Sequence, residues 1–188
     1  AAAIGEPMRA HGLASRNDER DRVAEVLEQC GMEADAMDRY PHEFSGGQRQ
    51  RIVIARAMAL RPEFVVADEP VSALDVSVQG QIVNLLTDLR DQQRTSFLFI
   101  SHDLSVVEHM CTSVAIMYRG RIVEQGTRDQ IFADARHPYT QELLAAVPIA
   151  DPHQRGRRRG RTVTREWDDP DAARPALVDV GDGHLVAL

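Results

Sequence analysis

Residues 44–75 constrain this chain more tightly than any other stretch. They open with Phe44-Ser45-Gly46-Gly47-Gln48-Arg49-Gln50-Arg51, continue through the apolar positions Ile52, Val53, Ile54, Ala55, Ala57, Met58 and Leu60, and close on Phe64-Val65-Val66-Ala67-Asp68-Glu69-Pro70. The spacing predicts a helix over 48–60. Ser45 is placed to cap its first turn, and Gly46 and Gly47 let the backbone come close to a ligand. The N–H groups of a first turn have no partner within the helix, so the natural ligand is an anion. Arg61-Pro62 ends the helix. The unbroken apolar run 64–67 then reads as a parallel strand buried on both faces, with two acids at its C-terminal tip.

The elements that follow keep the same order of helix and strand. Residues 76–92 place Val78, Ile82, Leu85, Leu86 and Leu89 on one side of a helix suited to covering a sheet. Residues 95–101 are a second, almost continuously apolar strand. His102-Asp103 follows at its C-terminal end, where open parallel sheets bind ligands. A short helix is expected over 104–110, and strands over 113–117 and 121–124 joined by a turn at Arg119-Gly120, with Gly126 ending the pair. Helices are expected over 129–133 and 140–146. Upstream, Val23, Val26 and Leu27 recur at helical spacing within 18–30, Gly31 closes that helix, and 32–40 reads as a second short one. Residues 1–13 read as the end of a preceding segment, with no element assigned to them. Residues 149–174 shift to Asp, Pro, Gly and Arg and read as a linker. Residues 176–180 and 184–188, separated by Gly181-Asp182-Gly183, read as a terminal hairpin.

Composition excludes several functions. All 22 basic residues are arginine; the sequence contains no lysine and therefore no phosphate-binding loop of the form GxxxxGK[ST]. A formal net charge of -7 argues against wholesale nucleic-acid binding. The run from Arg155 to Arg161, close to Asp151, Glu166, Asp168, Asp169 and Asp171, reads as a solvated tether. Arg49, Arg51 and Arg56 need not share one helix face, so they read as solvated or intradomain ion-pairing groups. No window is long and apolar enough to span a bilayer, and the first residues lack the basic start and apolar centre of a signal peptide. Cys30 and Cys111 are isolated and read as reduced cysteines in apolar surroundings. His11, His42, His109, His153 and His184 show no metal-ligand spacing and carry no assigned role.

Several of these motifs together resemble the ATP-binding domain of ABC transporters. Ser45-Gly46-Gly47-Gln48 resembles the signature loop, Val65-Val66-Ala67-Asp68-Glu69 the Walker B strand, Ser72-Ala73-Leu74-Asp75 the D-loop, and His102 the switch histidine. Residues 4–13 resemble the segment that follows the Q-loop in peptide-importer ATPases, as though the chain began mid-domain. His137-Pro138-Tyr139-Thr140-Gln141-Glu142-Leu143-Leu144-Ala145-Ala146-Val147-Pro148 is similar to the extension of the dipeptide, oligopeptide and nickel importer group. The cysteine cluster that related tails carry is missing, so no iron-sulfur site is expected. The resemblance implies an α/β fold with a partial P-loop NTPase-type parallel sheet core. Residues 1–134 would be the C-terminal part of the ATPase domain, with 13–60 the helical signature subdomain and 61–134 the core; residues 135–188 would be the importer-type extension.

The resemblance also implies roles. Asp68 would hold Mg2+, Glu69 would polarise the attacking water, and His102 would sense the outer phosphate of ATP. Ser45, Gly46, Gly47 and Gln48, with Asp75 and the help of Ser72, would act in trans on ATP held by a second subunit paired head to tail. The expected partners are that second ATPase subunit, membrane permease subunits and, indirectly, a periplasmic or extracellular solute-binding protein. The expected location is the cytoplasmic face of the membrane. The leading expectation is an ATP-hydrolysing subunit powering import of di- or oligopeptides. The alternative is a non-catalytic fragment that docks on a partner ATPase or permease, favoured for the chain alone by its lack of lysine. A soluble ABC-type ATPase of repair or translation is disfavoured, because nothing in those resembles residues 137–148.

Overall fold

The computed structural model describes residues 1–146 and 175–188. The linker expected over 149–174, its arginine run and the end of the 137–148 segment lie outside the described residues. The chain divides into two compact units, Ala1–His102 and Asp103–Leu188. Its described residues mix helix and strand and form one parallel and one antiparallel sheet, consistent with an α/β chain with a partial P-loop NTPase-type core.

In the first unit, helices α1 (Ala2–Ala10), α2 (Glu19–Gln29) and α3 (Gly46–Met58) pack on one another. Their apolar stripes supply the core. Ile4 and Met8 of α1, Val23 and Leu27 of α2, and Ile54, Ala55 and Met58 of α3 are buried; apart from the adjacent Ile54 and Ala55, the members of each set are spaced by three or four residues. Helix α1 occupies residues for which the sequence suggested no element. Pro7 hides it from pattern reading: the ring sits inside the helix and removes one N–H donor, a loss offset by the burial of Ile4 and Met8. The second helix expected over 32–40 is instead a 3-10 turn, Ala34–Asp38, followed by another at Pro41–Glu43. Tyr40 is extended between them, as a residue preceding proline prefers. Arg51 reaches from α3 to the C-terminus of α2, where its Nη1 donates to the Cys30 carbonyl at 2.7 Å. That contact satisfies a carbonyl at a helix end.

Strand β1 (Phe64–Asp68) pairs in parallel with β2 (Ser96–Ile100), Val66 opposite Leu98 and Asp68 opposite Ile100. Helix α4 (Val76–Gln93) connects them and buries Ile82, Val83, Leu85, Leu86 and Leu89. The expectation that β1 is buried on both faces does not hold. Phe64 and Val66 are 58% and 56% exposed, and Leu98 and Ile100 on the same face are exposed with them. Side chains alternate across a strand, so one face holds the buried Ala67 while the other has no covering element among the described residues of this unit.

The second unit begins with α5 (Leu104–Met110), followed by β3 (Ser113–Tyr118), β4 (Arg121–Thr127), α6 (Arg128–Ala133), α7 (Pro138–Ala146), β5 (Leu177–Asp179) and β6 (Leu185–Ala187). Its sheet is antiparallel in the order β3-β4-β6-β5, with a register shift between Ile116 and Met117. The terminal hairpin forms as expected, and β6 adds to β4, with Glu124 opposite Val186. Val107, Val114, Ile116, Val123, Ile131 and Ala187 make the core. Strand β4 continues through Gly126 instead of ending there. A Cβ at Gly126 would lie 3.3 Å from the His184 ring and 2.7 Å from Gln130 Oε1, so the glycine permits a close approach and does not break the strand.

That approach belongs to a buried polar cluster. Glu124 is 0% exposed, and its carboxylate accepts from the backbone N–H of Arg136 at 2.7 Å and of His137 at 3.2 Å. His184 Nε2 lies 2.8 Å from Glu124 Oε1. Three donors thus satisfy one buried acid and tie β4, the start of α7 and the terminal hairpin together.

Candidate active site

Strand β1 delivers two acids to its C-terminal end, but by different means. Asp68 is the last strand residue and is exposed. Glu69 lies beyond the strand in the left-handed region, with φ 46, although it is not glycine. Such a conformation costs about 1–2 kcal/mol and persists where neighbours impose it. Here the Glu69 N–H donates to the Ile100 carbonyl at 2.9 Å, while the Glu69 carbonyl accepts from the Ser72 N–H at 3.3 Å and Ser72 Oγ at 3.1 Å. The direction of the Glu69 side chain is therefore set by this turn and not by the strand pleat.

His102 follows β2 by two residues, and its Nδ1 stands 3.0 Å from Glu69 Oε1. Both side chains are open to solvent, at 70% and 49% exposure. Adjacent parallel strands thus bring a carboxylate and an imidazole into hydrogen-bond contact where a substrate can reach both. A carboxylate so placed can accept a proton or orient water, and an imidazole can donate to an anion.

Ser45 caps α3. Its Oγ accepts from the Gln48 N–H at 3.3 Å, and Gln48 Oε1 accepts from the Ser45 N–H at 3.0 Å. This reciprocal pair is a capping box that holds the first turn rigid. The glycines of that turn abut the segment after β1. A Cβ at Gly46 would meet Leu74 at an ordinary 3.6 Å, whereas one at Gly47 would stand 2.6 Å from Val78 Cγ1. Gln79 secures that segment from α4, its Nε2 donating to the carbonyls of Val71 at 3.1 Å and Leu74 at 3.0 Å. Asp75 stands at the N-cap of α4 with no side-chain capping bond, which leaves its carboxylate exposed.

Two constellations result. Glu69 and His102 touch each other, and Asp68 is placed beside them by the register of β1 and β2. Ser45, Gly46, Gly47 and Gln48 sit against the 74–78 segment that carries Asp75. Among the described residues no hydrogen bond or ion pair joins the first constellation to the second. Sequence reading missed Gln79 and the clamp of Ser72 on Glu69, because nothing in their spacing marks a side chain that bonds a neighbouring loop backbone. No group of three or more His, Cys, Asp or Glu among the described residues stands close enough to hold a metal ion.

The family model of the ABC transporter matches residues 5–72, and that of the oligopeptide/dipeptide transporter C-terminal region matches residues 123–171. Over these residues the chain is similar to the ABC transporter ATP-binding family. Glutathione import ATP-binding proteins GsiA of Salmonella typhimurium (strain LT2), Escherichia coli (strain K12) and Shigella flexneri are each similar to it, at 51% identity over 193 residues. The alignment covers 98% of this chain and 30% of each relative, so the chain spans under a third of the length of the curated relatives it matches. The ABC transporter match takes in Ser45 to Gln48, Asp68 and Glu69, and the transporter C-terminal match takes in β4 from Val123 onward, α6 and α7.

Proposed function

We propose that these residues are part of an ATP-hydrolysing ABC importer subunit that powers uptake of short peptides. The observation that carries the reading is the contact between Glu69 and His102 at the ends of two parallel strands, beside Asp68. Hydrolysis of a phosphoanhydride needs positioned water, donors around the transferred phosphoryl and charge compensation. Glu69 orients and polarises the attacking water; its left-handed backbone fixes where the carboxylate points. His102 donates to the outer phosphate and is held by Glu69. Asp68 would hold Mg2+, which supplies charge compensation for the phosphates when bound. Ser45, Gly46, Gly47 and Gln48 present the first-turn N–H groups of α3 to the phosphates of a nucleotide held by a second subunit, and Asp75 reaches the same partner.

The peptide class follows from the transporter C-terminal match and from relatives named for import of glutathione, a tripeptide. The same reading takes 1–134 as ATPase domain and 135–188 as the importer-type extension. Its partners are a second ATPase subunit and membrane permeases, with a solute-binding protein engaged through them. The chain works at the cytoplasmic face, and among its described residues no helix is long and apolar enough to cross a membrane. One observation favours a second reading for these 188 residues by themselves: they contain no lysine, so the outer phosphates lack the lysine that a P-loop provides. In that reading they dock on a partner and contribute only the α3 loop.

Joining the chain to a P-loop-bearing ABC segment separates the two. The proposal expects Mg-ATP turnover that Glu69→Gln removes while nucleotide binding stays. Turnover that survives Glu69→Gln would refute the role of Glu69, and a joined protein that binds ATP without hydrolysing it would favour the docking reading.

A further inference from the structure

The segment from Glu69 to Asp75 belongs to no helix or strand, yet each of its ends carries an acid with a proposed task. Its own backbone holds it loosely. The Ser72 N–H reaches the Glu69 carbonyl at 3.3 Å and the Leu74 N–H reaches the Val71 carbonyl at 3.2 Å, both long for amide hydrogen bonds. The shorter bonds come from outside the segment. Gln79, half-buried at the end of the first turn of α4, donates from Nε2 to the Leu74 carbonyl at 3.0 Å and to the Val71 carbonyl at 3.1 Å. A side-chain amide nitrogen carries two N–H donors, so one group can serve two carbonyls three residues apart. Val78, next to Gln79 in the chain, packs against the α3 turn, its Cγ1 standing 2.6 Å from where a Cβ on Gly47 would lie. One turn of α4 therefore meets both the 71–74 segment and the glycines after Ser45.

We propose that Gln79 is a positioning residue for ATP turnover: by holding Val71 and Leu74 it fixes the path from Glu69 to Asp75. The acid that orients water and the acid that reaches the second subunit then keep one spacing. This role rests on the proposed ATP-hydrolysing reading of the site. Gln79 touches neither acid, so it acts through the segment between them. Ser72 secures the Glu69 end of that segment, and Gln79 secures the rest of it. The requirement is for donors and not for bulk. Gln79→Met keeps a similar length and donates nothing, and Gln79→Glu sets a carboxylate against two carbonyl oxygens.

The test compares both variants with the unaltered chain in two measurements. In the P-loop-joined protein, each variant should lower kcat for Mg-ATP by about tenfold or more while KM for ATP stays within about twofold, because the groups assigned to the phosphates are untouched. In the 188-residue protein, amide exchange followed by NMR should quicken by about tenfold or more at Ser72 and Leu74 and stay unaltered from Ile82 to Leu89 of α4. That pattern marks a loosened segment on an intact helix. Faster exchange throughout α4 would overturn the proposal, since Gln79 would then serve general stability. An unaltered kcat in both variants, or a rise in KM that matches the fall in kcat, would overturn it too. The two failures are distinguishable: turnover that the variants leave intact removes the role of Gln79 alone, whereas an unaltered joined protein without turnover removes the ATP-hydrolysing reading and this role with it.

Discussion

Gly46 and Gly47 are adjacent in the same loop, yet the structure assigns them different reasons to be glycine. A methyl group at Gly46 would touch Leu74 Cδ2 at 3.6 Å, an ordinary contact, whereas one at Gly47 would stand 2.6 Å from Val78 Cγ1. Val78 cannot swing away cheaply. It is β-branched and lies in the first turn of α4, where one χ1 rotamer dominates. Alanine in place of a helical glycine gains up to about 1 kcal/mol, and overpacking costs about 1–3 kcal/mol. Gly46→Ala should therefore leave stability unchanged or raise it by a few tenths of a kcal/mol up to about 1 kcal/mol. Gly47→Ala should lower it by up to about 2 kcal/mol, the overpacking cost less the helical gain. Urea unfolding followed by circular dichroism reads both changes directly. Val78→Ala should rescue Gly47→Ala, so that the double variant is more stable than the sum of the two single effects implies. Equal stability of the two alanine variants, or no rescue by Val78→Ala, would refute the assignment of Gly47 to packing against α4.

Three further outcomes are expected. Glu124→Ala removes the acceptor from Arg136 N–H, His137 N–H and His184 Nε2, and unfolding of the second unit should be easier by about 3–5 kcal/mol, while Gln125→Ala stays within about 0.5 kcal/mol. Burial pushes the Cys30 thiol up to about 12, against the opposing pull of Arg51, so Cys30 should escape alkylation by iodoacetamide in the folded protein and react in urea, as peptide mass spectrometry will show. Burial also lowers the pKa of His137 below its ordinary 6.5, opposed by the Glu124 charge. The unfolded chain then binds the extra proton first, so stability contributed by His137 is complete above pH 6.5 and is lost as pH falls from 6.5 towards the lowered value. Urea midpoints measured across that range should fall with pH and should fall less in His137→Gln.

Much of the architecture was legible because periodicity survives burial. Val23 and Leu27, Ile54 and Met58, and Ile82, Leu86 and Leu89 mark three helices in the sequence and turn out to be their buried faces. Ser45 was legible as a cap because it stands just before the helical run, and the structure adds Gln48 as its reciprocal partner. The exposure of Phe64 and Val66 was not legible, since an apolar run records what a strand can bury and not which elements are present to cover it. Helix α1 was hidden by Gly5 and Pro7, which break the pattern that Ile4 and Met8 otherwise satisfy. Within the site, Asp68, Glu69 and His102 were identified from strand ends, but the left-handed turn at Glu69 was not, because its causes are a carbonyl on β2 and the hydroxyl of Ser72. Glu124 and His184 are separated by 60 residues, and no local signal links them.

In the proposed function, Glu69 and His102 act as one unit on a bound nucleotide. A double-variant cycle on the P-loop-joined protein tests it most directly: the rate of a single turnover of Mg-ATP for Glu69→Gln, His102→Ala and both together. The contact of 3.0 Å leads us to expect each single change to slow the reaction by at least about a hundredfold, and the double variant to be no slower than the worse single one. Losses that simply add, or a His102→Ala variant that hydrolyses at the unaltered rate, would contradict it.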